Sequence, residues 1–441
     1  MPRVLKPDES TQNILIRPLG PALEKIDAMK RMTYLPPLPK DIQDLSQIER
    51  LHRVFSIRDL HIPMEEEAKL QQTIDMLIRQ SLSKRDPTLA LTWREMLADS
   101  DSPSGMQEAS VCQARPISNA MAAVVSGIAG CGKTEGVRRS LLCLPGQVIR
   151  HHQFPNLVDG NYQVVWVSID APGSGRAEDL AEALMVELDD VMSAAIEGYT
   201  PRFSDTLARS RRDGSKMLAE WRRVAQSHFL ALLHIDEVQN LFKLATIKIR
   251  SKKNAKASDL KLTIAEDSTL KWILTLINRW GISVIFSGTP DGIGALTTRL
   301  STGQRLSVGG YHAIHPFAGP DDLAYRQFID VLARYQWMVG RLPPNELYEP
   351  IFRLTAGVRR LIIALWVAAH RVALSRTGDE LRVSDFEYAA STFLAPAKTG
   401  IEALLSRSPS QFGRFVDLRV DEVFWSTFWS EMGLGQVKPA K

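Results

Sequence analysis

From about Asn119 onward, short apolar runs alternate with segments of helical spacing. Residues 122–125 (AAVV) form the first strand candidate and residues 164–167 (VVWV) the second. Residues 229–235 (FLALLHI) are the third and residues 282–287 (ISVIFS) the fourth. Between the last two, Leu270, Ile273, Leu274 and Ile277 recur at the spacing of one helix face. Strands that alternate with helices predict a parallel sheet covered on both faces. From residue 321 on the pattern is helical alone, with Phe328, Val331, Leu332 and Tyr335, then Leu361, Leu365, Ala369 and Val372. That stretch predicts a separate helical domain.

Upstream, residues 1–40 end in Leu35-Pro36-Pro37-Leu38-Pro39, a density of proline that favours an extended linker or docking segment. Pro63 suits a helix start, and Leu70, Ile74, Leu77 and Ile78 follow at helical spacing. Residues 99–105 (DSDSPSG) mark a boundary. The expected organisation is therefore an N-terminal extension over 1–115, partly disordered and then helical. An α/β core over 116–320, a helical lid over 321–395 and a tail over 396–441 follow. The tail carries Phe424, Trp425, Phe428 and Trp429. This stripe either packs on the chain's own lid or docks a partner.

Composition narrows the class. The 441 residues are 44% hydrophobic and 24% charged, as in an ordinary globular protein. A net charge of +4 is small, so any nucleic-acid contact must come from a local basic patch. Cys112, Cys131 and Cys143 are widely spaced with no CxxC pair, which argues against a disulfide framework or zinc site and for a reducing compartment. No apolar run approaches the roughly 20 residues of a membrane span, and MPRVLKPDES lacks an apolar signal core. The expectation is a soluble cytoplasmic protein without a membrane partner.

The sharpest chemistry follows the first strand candidate. Residues 127–134 (GIAGCGKT) match GxxxxGK[ST], between an apolar strand and a plausible helix that begins at Glu135. Gly127, Gly130 and Gly132 let the backbone wrap a phosphate with its N–H groups turned inward, and the helix N-terminus adds a favourable field. Lys133 supplies charge to the β- and γ-phosphates, and the Thr134 hydroxyl is a magnesium ligand. Cys131 reads as a small residue inside the loop whose oxidation would impair binding. ATP with Mg2+ is the expected ligand.

The third strand candidate ends in Asp236-Glu237. Ligands sit at the carboxyl edge of a parallel sheet. Asp236 is thus the second candidate magnesium group, and Glu237 would orient the attacking water. His234 interrupts the apolar run and reads as a satisfied core histidine. After the fourth candidate, Thr289 in Ser-Gly-Thr-Pro would sense the γ-phosphate, or simply belong to a turn. Arg305 and Arg299 could reach a nucleotide on a neighbouring subunit, and Arg360 could lie over the phosphates from the helical domain. His312 and His315 read as structural, and no constellation suggests that the chain cuts DNA.

Together these parts resemble the AAA+ ATPases, which implies an α/β P-loop NTPase core with a parallel sheet, followed by a helical lid and preceded by a mostly helical region. Residues 147–151 (QVIRH), 163–170 (QVVWVSID), 287–290 (SGTP) and 304–307 (QRLS) look like TnsC, and Arg85-Asp86-Pro87 is a weaker echo. TnsC and its relatives TniB and MuB are ATP-dependent regulators of DNA transposition. The resemblance covers roughly 120–375. It implies homo-oligomeric rings or filaments on double-stranded DNA, with a target selector and a transposase as partners. It also implies Arg305 as the arginine finger, with Arg299 second.

A basic run supports DNA binding. Lys243, Lys248, Arg250, Lys252, Lys253, Lys256 and Lys261 face a single Asp259. Such side chains would neutralise phosphates without reading bases. A replication or repair loader remains open, as does a signalling NTPase in which this run is only a solvated loop.

Overall fold

The computed structural model describes residues 13–100, 120–209, 212–241, 264–296, 303–304, 306, 308–412 and 415. Contacts divide the chain into two compact units. The first comprises residues 1–25, 69–126 and 137–312; the second comprises 26–68, 127–136 and 313–441.

In the first unit the expected strands form: β1 (Ala122–Ser126), β4 (Trp166–Asp170), β5 (Leu232–Asp236) and β6 (Ser283–Gly288). A hairpin of β2 (Val148–His151) and β3 (Asn161–Val164) and an edge strand β7 (Gly310–Ala313) join them. The sheet has five strands in the order β4-β5-β6-β1-β7. The pairings β4–β5, β5–β6 and β6–β1 are all parallel. Every residue of β1, β5 and β6 is buried, so these strands do not alternate between a buried and an exposed face.

Two bounds differ from the sequence pattern. The run 164–167 is divided, because Val164 ends β3 and Trp166 begins β4. The run 229–235 includes a helix exit. The N–H of Phe229 donates to Gln226 and that of Leu230 to Ala225, and strand pairing starts only at Leu232. Burial is continuous through both points, so hydrophobicity alone cannot show where the chain changes hydrogen-bond partner. The hairpin carries no strand signal in the sequence because Arg150, His151 and Gln163 interrupt its apolar pattern.

The helix Ala177–Ala195 places Leu180, Leu184, Leu188 and Met192 on one buried face, with Glu178 and Asp179 favourable in its first turn. Buried Asp189 accepts from the N–H groups of Arg202 (2.8 Å) and Phe203 (3.0 Å) and from the Tyr199 hydroxyl (3.0 Å), which fixes the following turn. The Asp213 side chain caps the helix Gly214–Ser227, which buries Met217, Leu218 and Trp221 in the same core. From the helix Ile264–Trp280, Leu270, Ile273, Leu276 and Ile277 complete it.

The second unit is helical around Tyr325, Leu347, Trp366 and Phe386, all buried. Its helices include Leu323–Leu332, Tyr348–Thr355, Arg359–Leu374 and Val383–Thr392. The N-terminal segment contributes Ile57 and Leu60 to this core. It is tied there by the Tyr335 hydroxyl, which donates to Pro36 O at 2.8 Å, and by Arg50, which pairs with Asp379 at 2.7 Å.

Replacing fully buried Leu184 by alanine is expected to cost about 2–5 kcal/mol, whereas Val186→Ala, at 43% exposed, should change stability by about 0.5 kcal/mol or less. Urea midpoints of the two variants provide the comparison. A second expectation concerns His370. Its Nδ1–H donates to Trp366 O at 2.8 Å, and burial lowers its pKa from 6.5 to about 4. The unfolded ring therefore takes a proton first. Its contribution is complete above pH 6.5 and is lost as pH falls towards 4. A His370→Gln variant should show a flatter loss of stability in that window when denaturation midpoints are followed against pH.

Candidate nucleotide site

In the second unit, the loop 127–136 is shaped by glycines that other residues would not replace. Gly130 (φ +85°) and Gly132 (φ +100°) adopt left-handed backbone, where a Cβ is disfavoured. At Gly127 the obstacle is space, since a Cβ would lie 2.3 Å from Ile314 O. Lys133 opens the helix Lys133–Leu141, and its buried side chain donates from Nζ to Ile128 O at 3.2 Å. Thr134 is exposed and Glu135 half-buried in the first helical turn. Cys131 is buried, and burial pushes its thiol up to about 11, so little thiolate exists at neutral pH. A loop of this form, with left-handed glycines and a lysine at a helix N-terminus, fits a phosphate chain.

Two consecutive arginines meet this loop in different ways. The N–H of Arg360 donates to Gly130 O at 3.1 Å, and its side chain is exposed. Arg359 is buried, with its guanidinium carbon 3.5 Å from where a Cβ on Gly132 would lie. Its guanidinium pairs with fully buried Glu67 (3.1 and 3.3 Å). Glu67 also accepts from the Met64 N–H at 2.6 Å. Sequence reasoning singled out Arg360; the buried pair of Arg359 and Glu67 was invisible because its members lie 292 positions apart.

In the first unit, Asp236 ends β5 with its side chain buried, and Oδ1 accepts from the Glu237 N–H at 2.9 Å and from the Ser287 hydroxyl. Glu237 itself has left-handed backbone (φ 52°, ψ 41°), which for a residue with a Cβ costs on the order of 1–3 kcal/mol. The Gln239 amide joins two candidate groups. Its N–H donates to the Glu237 carboxylate, while its carbonyl accepts from the Thr289 N–H at 3.2 Å. The Thr289 hydroxyl donates to Asp291 at 2.6 Å.

Behind Asp236 lies His234, buried, with both ring nitrogens paired. Nδ1 is 2.8 Å from the Ser168 hydroxyl and Nε2 is 2.8 Å from the Ser287 hydroxyl. Burial lowers its pKa to about 4, against the pull of Asp236, so the ring is neutral. Its place as a satisfied core histidine was legible as a polar break in an apolar run. Its serine partners, and Gln239, carried no such signal. His312 bonds to the Thr73 hydroxyl at 3.0 Å.

Arg299, Arg305, Lys243, Lys248, Arg250, Lys252, Lys253, Lys256 and the aromatic tail lie outside the described residues. Among the described residues no group of three or more His, Cys, Asp or Glu could hold a metal ion. No helix among them is long and apolar enough to cross a membrane.

Residues 115–295 match the family model described as AAA domain. The match spans the α/β core from β1 to β6. Its fold is that of the AAA+ P-loop NTPases, a parallel five-stranded sheet with helices, and this class uses nucleotide, typically with magnesium. Similar solved structures include the Walker-type ATPase of Pyrococcus abyssi, at 14% identity and TM-score 0.39, covering 72% of this chain and 81% of that one. Another is the Aeropyrum pernix ORC1 protein in complex with DNA, at 13% identity and TM-score 0.40, covering 71% and 78%. No curated protein matches the chain.

The glycine loop supplies a direct test. Gly132→Ala forces a Cβ into left-handed backbone at φ +100°, a strain of about 1–3 kcal/mol. Nucleotide affinity is expected to fall about tenfold, read by titration with a fluorescent ATP analogue. Unchanged affinity would show that the loop does not need this geometry to bind.

Proposed function

We propose that this chain is an ATP-dependent, DNA-binding AAA+ regulator of DNA transposition, which assembles on target double-stranded DNA and links target selection to transposase recruitment. The observation that carries the nucleotide half is the glycine loop, with left-handed Gly130 and Gly132 leading into buried Lys133 at a helix start. The transposition half rests on the TnsC-like phrases of the sequence and the basic run between residues 243 and 261.

In this reading Lys133 and the loop N–H groups hold the phosphates. The Thr134 hydroxyl and the Asp236 carboxylate are the groups that would hold magnesium, which when bound neutralises phosphate charge. Glu237 orients and polarises the attacking water, and Thr289 reports the γ-phosphate. Arg305, with Arg299 second, acts on the nucleotide of a neighbouring subunit in a homo-oligomer. Arg360 or its neighbour Arg359 answers from the lid. The six basic residues Lys243, Lys248, Arg250, Lys252, Lys253 and Lys256 follow the DNA backbone.

Glu237→Gln is expected to keep ATP binding while slowing hydrolysis by about two orders of magnitude or more, and Lys133→Ala to weaken binding itself. Turnover assays and nucleotide titrations on both variants separate the effects; normal turnover in both would reject the assignment. The DNA half is tested by gel shift with a non-hydrolysable ATP analogue, ADP or no nucleotide across a salt series. Analogue-dependent, sequence-tolerant binding that weakens steeply with salt is expected. Folded, ATP-hydrolysing protein that binds no DNA in any state would leave a signalling switch. A transposase gene beside this one separates the regulator from a replication or repair loader.

A further inference from the structure

Within the buried sheet, polar side chains from three neighbouring strands meet in a row that ends at Asp236. Ser168 on β4 stands opposite His234 on β5 in the parallel register. His234 is opposite Ile285 on β6, so Ser287, two residues further along, shares its face. Asp236 is likewise two residues beyond His234. The contacts run Ser168 Oγ to His234 Nδ1 (2.8 Å), His234 Nε2 to Ser287 Oγ (2.8 Å), and Ser287 Oγ to Asp236 Oδ1. His234, Asp236 and Ser287 are all buried.

Donor counting gives this row one direction. An ionised carboxylate only accepts, so the single Ser287 proton goes to Asp236. Ser287 Oγ must then accept from His234, which puts a proton on Nε2. In the neutral ring Nδ1 is the acceptor, and the Ser168 hydroxyl donates to it. Each hydroxyl and each ring nitrogen is used, as buried polar groups require.

We propose that Ser168, His234 and Ser287 are positioning residues that form a one-way hydrogen-bond chain, Ser168 to His234 to Ser287 to Asp236, and hold the Asp236 carboxylate in the orientation from which it serves magnesium. The proposal rests on the reading of Asp236 as a magnesium group. It adds that the carboxylate is aimed from within the sheet, by a network spanning β4, β5 and β6. Groups that orient a metal-binding carboxylate typically change metal affinity about 10–100-fold when lost. In this row Ser287 is the contact to Asp236, and His234 and Ser168 act through it.

The test uses the full chain with Mn2+ as the probe, its affinity read by electron paramagnetic resonance with ADP present, beside ADP affinity without metal. Ser287→Ala is expected to weaken Mn2+ binding about tenfold or more while metal-free ADP affinity stays at the wild-type value. Ser287→Thr, which retains a hydroxyl, should restore it. Wild-type Mn2+ affinity in Ser287→Ala, with loss in Asp236→Ala, would overturn the chain and leave Asp236 as a magnesium group. Unchanged Mn2+ affinity in Asp236→Ala would overturn that reading and the chain together. An independent readout on the wild-type protein needs no metal. In 15N-histidine spectra of the wild-type protein, assigned with a His234→Gln sample, the His234 ring should carry its proton on Nε2 with Nδ1 unprotonated. A proton on Nδ1 would overturn the assigned direction.

Discussion

Parallel pairing of β4, β5, β6 and β1 constrains the first unit more than any other interaction. Strands that run the same way end at the same edge, and the register makes those ends level. Ser126 stands opposite Gly288, and Asp170 opposite Asp236. The residues that leave β5 and β6 there (Glu237 and Thr289) therefore start from one edge of one sheet. β1, β5 and β6 are buried throughout, so charge is admissible there only at their ends or where a partner waits. Asp236 meets both conditions. It is the last residue of its strand, and it accepts from the Glu237 N–H and the Ser287 hydroxyl. Moving β5 by one residue against β6 would separate His234 from Ser287 and leave buried polar atoms unpaired, at about 1–3 kcal/mol each. Register and polar network thus specify each other.

Some of the left-handed backbone lies where chemistry is expected. Glu237 occupies left-handed backbone although it has a Cβ, and the loop after β1 turns through Gly130 and Gly132 at positive φ. A strained residue persists only when its surroundings over-determine it. Around Glu237 those surroundings are the strand before it and the Gln239 amide, which joins its carboxylate to the Thr289 N–H. In the second unit, the buried pair of Arg359 and Glu67 has a comparable role beside Gly132. A charge pair of this kind adds little net stability. Removing either member would strand the other and cost about 3–5 kcal/mol. The pair therefore ties the N-terminal segment to the start of the helix Arg359–Leu374 by making separation expensive.

Local pattern determined a good deal of this protein. Four apolar runs mark strands of the sheet, alternation with helices marks it as parallel, and the GxxxxGKT spacing puts glycines where left-handed backbone is needed. These properties are set by neighbours in the chain, through sterics and periodicity, and so can be read from it. The split of the run at Val165, the helix exit at Phe229 and the hairpin Val148–Val164 could not, because they depend on which strand each N–H finds. The same holds for the groups around the candidate site. Ser168, Ser287 and Glu67 are unremarkable letters until the fold brings Ser168 to His234, 66 positions away, and Glu67 to Arg359, 292 positions away. A polar break at His234 announces that a partner must exist, since burial without one is costly. Only the tertiary structure decides which partner it is, because hydrogen bonds are selected by distance and direction in space.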